Sequence, residues 1–235
     1  MSERILPLPE IIREALIQLY CPAHLKHASL TDPRNNACLV RVHLGRNADV
    51  RQPGACPQQF FTLRNSKLYL DQMVDLGLDV DMFAIIIANT LAIMHCEVRI
   101  DARDVEFVLG SKPAEAHYRG PTYEELKKLS PNSSTHTIGG SMTFHQRVVH
   151  LWCLDFNLCK EIELDDKGVE TAVEAFCLND RYYPRPSVDM RLWQIFCNSY
   201  LSLSSKILRQ TKYESFPRKF IEKVVEGMKQ YAGRP

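Results

Sequence analysis

Arg99-Ile100-Asp101-Ala102-Arg103-Asp104-Val105-Glu106-Phe107-Val108-Leu109 is the stretch on which the fold of this chain turns. It opens with charged residues of both signs and closes in a short run rich in β-branched and aromatic side chains, which has the character of a strand. Ahead of it lies the longest apolar stretch, Phe83 to Met94, part of a helix that Asp79 or Asp81 can cap and that runs to about Cys96. Apolar residues occupy every side of that helix, so it is expected at the centre of the core. A buried helix, a charged loop and a strand therefore follow one another.

Working toward the N-terminus, Leu68 to Leu76 reads as a short helix stopped at Gly77. Gln58 to Arg64, with Phe60 and Phe61, favours a strand, paired with the alternating run Cys38 to Leu44. Pro9 opens a first helix with Ile12, Ala15, Leu16 and Leu19 on one face, and Pro22 closes it. Toward the C-terminus, Ser111 to Thr143 holds most of the Gly, Pro and Ser and is expected to be a long loop, with a helical turn at Tyr123 to Leu129. Leu151 to Phe156 is a further strand; helices follow at Val169 to Cys177, at Met190 to about Arg209, and from Pro217 onward.

This order resembles that of protein kinases and small-molecule phosphotransferases. The expected fold class is α+β, mainly helical: a protein-kinase-like C-terminal lobe with a remnant of N-lobe strands. The division expected is 1–66, an N-terminal helix and strand pair, and 67–235, the helical lobe with an insertion at about 111–143.

The resemblance implies roles for three carboxylates. In the HRDxxxxN loop of those families, an Asp accepts a hydroxyl proton and a magnesium ligand follows five residues later; here Asp101 and Glu106 have that spacing. Arg99 stands in place of the loop's His and Glu106 in place of its Asn, a change that keeps a hard oxygen ligand for magnesium. Leu154-Asp155-Phe156-Asn157 is similar to the DFG element, whose Asp bridges magnesium to phosphate, with Asn replacing Gly. Asp101 is thus the catalytic position, vestigial as the chain stands, and Asp155 and Glu106 are the candidate magnesium ligands. His95 is expected to be a buried structural histidine.

A longer resemblance rests on Leu6-Pro7-Leu8-Pro9, Cys38 to Val42, Phe61 to Asn65, Ile100 to Gly110, Leu151 to Asn157 and Asn179 to Pro186. These are similar to the fungal family catalogued as domain of unknown function 3669, whose members are often labelled zinc finger proteins. Longer members carry an upstream glycine-rich hairpin and a lysine strand; this sequence has no GxGxxG and no VAIK-like lysine. Phosphoryl transfer is positioning plus charge stabilisation, and positioning accounts for about 7–11 kcal/mol of such a barrier. A base alone, worth about 10²- to 10⁴-fold, does not replace it.

The expected function is therefore a degenerate kinase-like, non-catalytic interaction or regulatory module with a protein partner and no cofactor. The alternative is a phosphotransferase for a protein or small metabolite, using magnesium and ATP once an N-lobe is supplied. A zinc-binding transcriptional regulator ranks third: Cys21, His24, His27 and Cys38 invite that reading, but no CxxC occurs.

Composition narrows the field further. Lys and Arg total 29 against 28 Asp and Glu, giving a net charge of +1, so no extended positive field suits nucleic acid or an anionic membrane. Phe83 to Met94 is shorter than the roughly 18–20 residues of a bilayer span, and no signal-like apolar run opens the sequence. Eight scattered cysteines point to reduced thiols and a cytoplasmic or nuclear location.

Overall fold

The structure is a computed structural model that describes residues 4–48, 59–113, 147–179 and 181–231, together with Glu124 and Lys127. It is α+β and mainly helical. Helix α1 (Glu10–Tyr20) starts after Pro9, and a short α2 (Lys26–Thr31) leads to strand β1 (Val40–His43). Strand β2 (Ser66–Tyr69) runs straight into α3 (Leu70–Asp75), and α4 (Val80–Ile93) follows. Strands β3 (Glu106–Pro113) and β4 (Arg147–Leu154) precede three helices, α5 (Asp166–Leu178), α6 (Met190–Ile207) and α7 (Phe216–Tyr231).

The four strands form one sheet in the order β2-β1-β3-β4. β1 and β2 are parallel, with Arg41 opposite Lys67 and His43 opposite Tyr69, whereas β3 is antiparallel to both β1 and β4. The second strand thus lies at Ser66–Tyr69; of the expected strand Gln58 to Arg64, Gln58 lies outside the described residues and residues 59–64 form no strand. Phe60 is exposed and Leu63 is buried without a strand, its N–H taken by Asn35 Oδ1 at 2.7 Å. β3 also outruns its expected end at Leu109, because Gly110 lets another segment cross it: a Cβ there would lie 2.5 Å from Ile5 Cγ2. Ser111 to Pro113 therefore belong to the strand. The rest of the expected loop lies outside the described residues except Glu124 and Lys127, which are helical and form an i,i+3 ion pair at 3.9 Å.

Asp side chains start three of the long helices. Asp79 accepts from Met82 N–H, Asp165 from Gly168 N–H and Asp189 from Leu192 N–H, all at 2.8–2.9 Å. Each satisfies a backbone donor that the helix itself cannot pair, an effect worth about 1 kcal/mol.

One apolar core runs from Leu8 to Met228 and crosses residue 66, drawing on both sides of that expected boundary. α4 packs mainly on α6, and α5 on α7. α4 buries Val80, Phe83, Ala84, Ile87, Ala88, Leu91 and Ala92, a stripe at helical spacing, while Met82, Ile85, Ile86 and Ile93 remain 37–46% exposed. It is therefore central on one face only, and the apolar residues on its other side point outward. With the turn that continues it, Val80–Val98 spans 19 residues, long and apolar enough to cross a membrane by composition, though more than half of it is buried in the protein. Counting from Phe83 to Met94 understates this length.

Candidate functional site

The charged loop is set up by an irregular helix end. After α4 the chain widens into a single π turn, Met94–Val98, and stops when Arg99 enters the left-handed region at φ 60° with its N–H bonded to Met94 carbonyl. Ala102 (φ 57°) and Asp104 (φ 62°) are left-handed too, as is Asp155 (φ 69°) at the end of β4. Such conformations cost non-glycine residues about 1–3 kcal/mol each and persist where surrounding contacts over-determine them. π turns and strained backbone both concentrate at functional sites.

Those contacts are visible. Asp101 is only 2% exposed, and its Oδ1 accepts the N–H of Arg103 at 3.0 Å and that of Lys160 at 2.9 Å. Its own N–H donates to Lys160 carbonyl at 2.9 Å, and Ile162 N–H donates to Arg99 carbonyl at 2.9 Å, so Ile100 and Glu161 form an antiparallel bridge. The segment after β4 is thereby laced to the charged loop.

Asn179, at the C-terminus of α5, holds the loop from the other side. Its Nδ2 donates to the carbonyls of Ala102 and Val105, and its Oδ1 accepts from Asp104 N–H, all at 3.2 Å. Sequence reasoning placed Asn179 in a family-like stretch and gave it no role. The signal available was its position at the end of an apolar helix just before the turn Tyr182-Tyr183-Pro184.

Glu106 is engaged elsewhere. Arg41 on β1 grips both oxygens, Nη2 to Oε1 at 2.5 Å and Nε to Oε2 at 3.0 Å, in a partly buried pair. Burial and the neighbouring Glu106 carboxylate raise the Tyr182 hydroxyl well above its ordinary range. Asp155, by contrast, is exposed, and so is Phe156 at 49%.

Burial raises the pKa of Cys159, and Asp101, Asp104 and Asp155 raise it further. Its Sγ lies 3.6 Å from Arg103 carbonyl. Among the described residues, no three His, Cys, Asp or Glu side chains stand close enough to hold a metal ion. Cys21 bonds Ser29 Oγ at 3.4 Å, and Cys38 is fully buried with its thiol pushed up to about 11 by burial. His95 is fully buried, its Nδ1 3.0 Å from Tyr200 hydroxyl and its ring edge-on to Phe220 at 4.8 Å, a core position.

A protein-family model, domain of unknown function 3669, described as zinc finger protein, matches residues 151–212, about a quarter of the chain. The matched stretch runs from β4 through Asp155, Lys160 and Asn179 to the end of α6, so it contains one side of the laced loop. No curated protein and no solved structure gave a match.

Proposed function

We propose that this chain is a kinase-like module that binds a protein partner and does not itself transfer phosphate. The observation that carries the reading is the state of the loop carboxylates. Asp101 is buried with one oxygen spent on two backbone donors, and Glu106 is clamped by Arg41. Groups so engaged stabilise the loop, and they reach substrate or magnesium only by giving up hydrogen bonds to charge, worth about 1.5–3 kcal/mol each. The helix, charged loop, β3, β4 and Asp155 follow the order of a kinase C-terminal lobe, which supports the scaffold half of the proposal.

Partner binding is supported by apolar surface. The outward stripe of α4, Met82, Ile85, Ile86 and Ile93, lies on one face of a rigid helix. A cavity of about 380 Å³ between α1 and the sheet, lined by Ile12, Leu16, Leu68, Leu109 and Val149, adds a second apolar feature. Seven cysteines that stand outside any disulfide among the described residues suit a reducing, cytoplasmic or nuclear setting.

A second reading, a phosphotransferase completed by a separate N-lobe, draws on the exposed Asp155 and on the negative charge of Asp101, Asp104 and Asp155, each of which helps to raise the Cys159 thiol. Thermal unfolding with and without magnesium and ATP separates the two. Ligand at about 100 times its Kd adds roughly 2.7 kcal/mol, or on the order of 5–10 °C at this size. No shift is expected. A metal-dependent shift that Asp155→Asn removes would establish nucleotide binding instead.

A further inference from the structure

Helix α1 covers the sheet incompletely. Val40, Leu68, Leu109 and Val149 form an apolar floor, α1 is one wall above it, and Leu76 and Leu78, in the turn between α3 and α4, form the other. A cavity of about 380 Å³ remains between them, whereas a close-packed interior leaves few voids larger than a water molecule. The cavity is open along α1. Ile11, Ala15 and Leu19 recur every fourth residue along its edge, a row about 12 Å long, with Ile11 75% and Leu19 59% exposed; Leu76, on the other wall, is 37% exposed.

The two ends of this groove differ in charge. At the N-terminal end of α1 it runs into a polar pocket that shares Leu8, Ile11 and Ile12 with it and is bordered by Glu10, Arg13 and Arg147. Arg13 donates from Nη1 to the Asn35 carbonyl and to Asn36 Oδ1, whereas Arg147 is exposed and carries no ion pair among the described residues. At the other end Asp75, directly before Leu76, is exposed, and burial first, then Asp75 and Asp71, raise the Tyr20 hydroxyl in the last turn of α1. Asp71 accepts from Ala48 N–H and Lys26 is turned to the Gln18 carbonyl, which leaves Asp75 as the charge at that end.

An apolar groove open along its length, with a cation at one end and a carboxylate at the other, suits a helix laid into it better than a small molecule sealed inside. We propose that the groove takes an amphipathic helix of a partner protein, with apolar residues spaced four apart, an acidic residue at the end over Arg147 and a basic residue at the end over Asp75. The apolar residues fill the cavity above the sheet and cover Ile11, Leu19 and Leu76, and the two end charges set the direction of the helix. This assignment rests on the reading of the chain as a partner-binding module and adds the partner's chemistry.

The probe is a fluorescein-labelled helical peptide of about 15 residues, built on alanine with leucine at every fourth position, glutamate in its first turn and lysine in its last. Fluorescence anisotropy with the full chain should show saturable one-to-one binding. Ala15→Glu, at an exposed position in the groove, sets a carboxylate against the leucines and should weaken binding about tenfold or more, and Leu19→Glu should do the same. Circular dichroism and thermal unfolding of both variants should match the parent. Arg147→Glu should weaken binding about three- to tenfold, and a peptide with lysine in both end turns should recover it. No saturable binding, or binding that Ala15→Glu and Leu19→Glu both leave unchanged, overturns the site. So does either competing occupant: vesicles of phosphatidylcholine and phosphatidylglycerol that capture the chain through Leu19, or a dimer in sedimentation that Leu19→Glu dissociates. Failure here leaves the partner-binding reading standing on the outward stripe of α4, whereas a metal-dependent thermal shift with ATP counts against that reading whatever the peptide does.

Discussion

Asp101 and Lys160 hold each other twice: the Asp101 N–H donates to the Lys160 carbonyl, and the Lys160 N–H donates to Asp101 Oδ1, each at 2.9 Å. The carboxylate expected to take a proton from substrate thus serves as an acceptor that fastens two distant segments. Removing that acceptor strands buried N–H groups, whereas an amide keeps it. Asp101→Ala should lose about 2–5 kcal/mol in urea unfolding and Asp101→Asn about 1 kcal/mol. Equal losses for the two variants would contradict a role resting on the accepting oxygen.

Asn179 makes three hydrogen bonds that fix Ala102, Asp104 and Val105, two of them left-handed residues. Asn179→Asp keeps the acceptor and loses both donations, placing a carboxylate against two carbonyls. It should destabilise at least as much as Asn179→Ala, by about 2–4 kcal/mol in chemical denaturation. Proteolysis within residues 99–106 should accelerate in both variants.

The Arg41–Glu106 pair is bidentate and partly buried, at 26% and 18% side-chain exposure. A double-mutant cycle with Arg41→Met and Glu106→Gln should return a coupling of about 1–2 kcal/mol, above that of exposed pairs. Added magnesium should leave this coupling unchanged if Glu106 is a latch. A fall in coupling with magnesium would place Glu106 at a metal instead.

His95 is buried, and that burial holds it down to about 3, below its ordinary 6.5. Below 6.5 the unfolded chain takes up a proton that the folded chain refuses. Stability present above that pH is therefore lost as pH falls toward 3, at about 1.4 kcal/mol per pH unit once the unfolded histidine is fully charged. His43, depressed to about 4, acts in the same direction. Urea midpoints between pH 7 and pH 4 should fall, and His95→Gln, which keeps a polar partner for Tyr200, should flatten the slope while lowering stability overall.

The parts of this fold that were legible in the sequence are those that local patterns encode. The apolar stripes of α5, α6 and α7, an aspartate cap of α4 at Asp79 or Asp81 and the alternation in β1 follow from spacing alone; the hydrogen bond to Met82 N–H selects Asp79. β2 was not legible, since Ser66-Lys67-Leu68-Tyr69 is four residues long and its parallel pairing with β1 is set by tertiary contacts. Phe60 and Phe61 have higher strand propensity and form none, because the chain there is directed by the Asn35 side chain. Within the candidate site, the spacing of Asp101 and Glu106 shows which residues are close in sequence. It does not show that Arg41, 65 residues earlier, occupies the second of them, or that Asn179 clamps the backbone between.

The crossing at Gly110 bears on the order in which the molecule assembles. Leu6 and Ser111 exchange two backbone hydrogen bonds, at 3.1 and 2.8 Å, and Ser111 Oγ donates to Pro7 carbonyl, 104 residues away, at 2.6 Å. Just before this point β3 borders β1; from Ser111 the neighbour is the N-terminal segment, which takes over beyond the first residue of β1, Val40. Ribosomes release the first of these partners long before the second exists, so the opening residues wait without their sheet neighbour while about a hundred more are made. Closing so long a loop is slow relative to forming helices. The N-terminal segment is then a late-docking piece, and newly made chains that stop short of Ser111 leave it with nothing in β3 to hold.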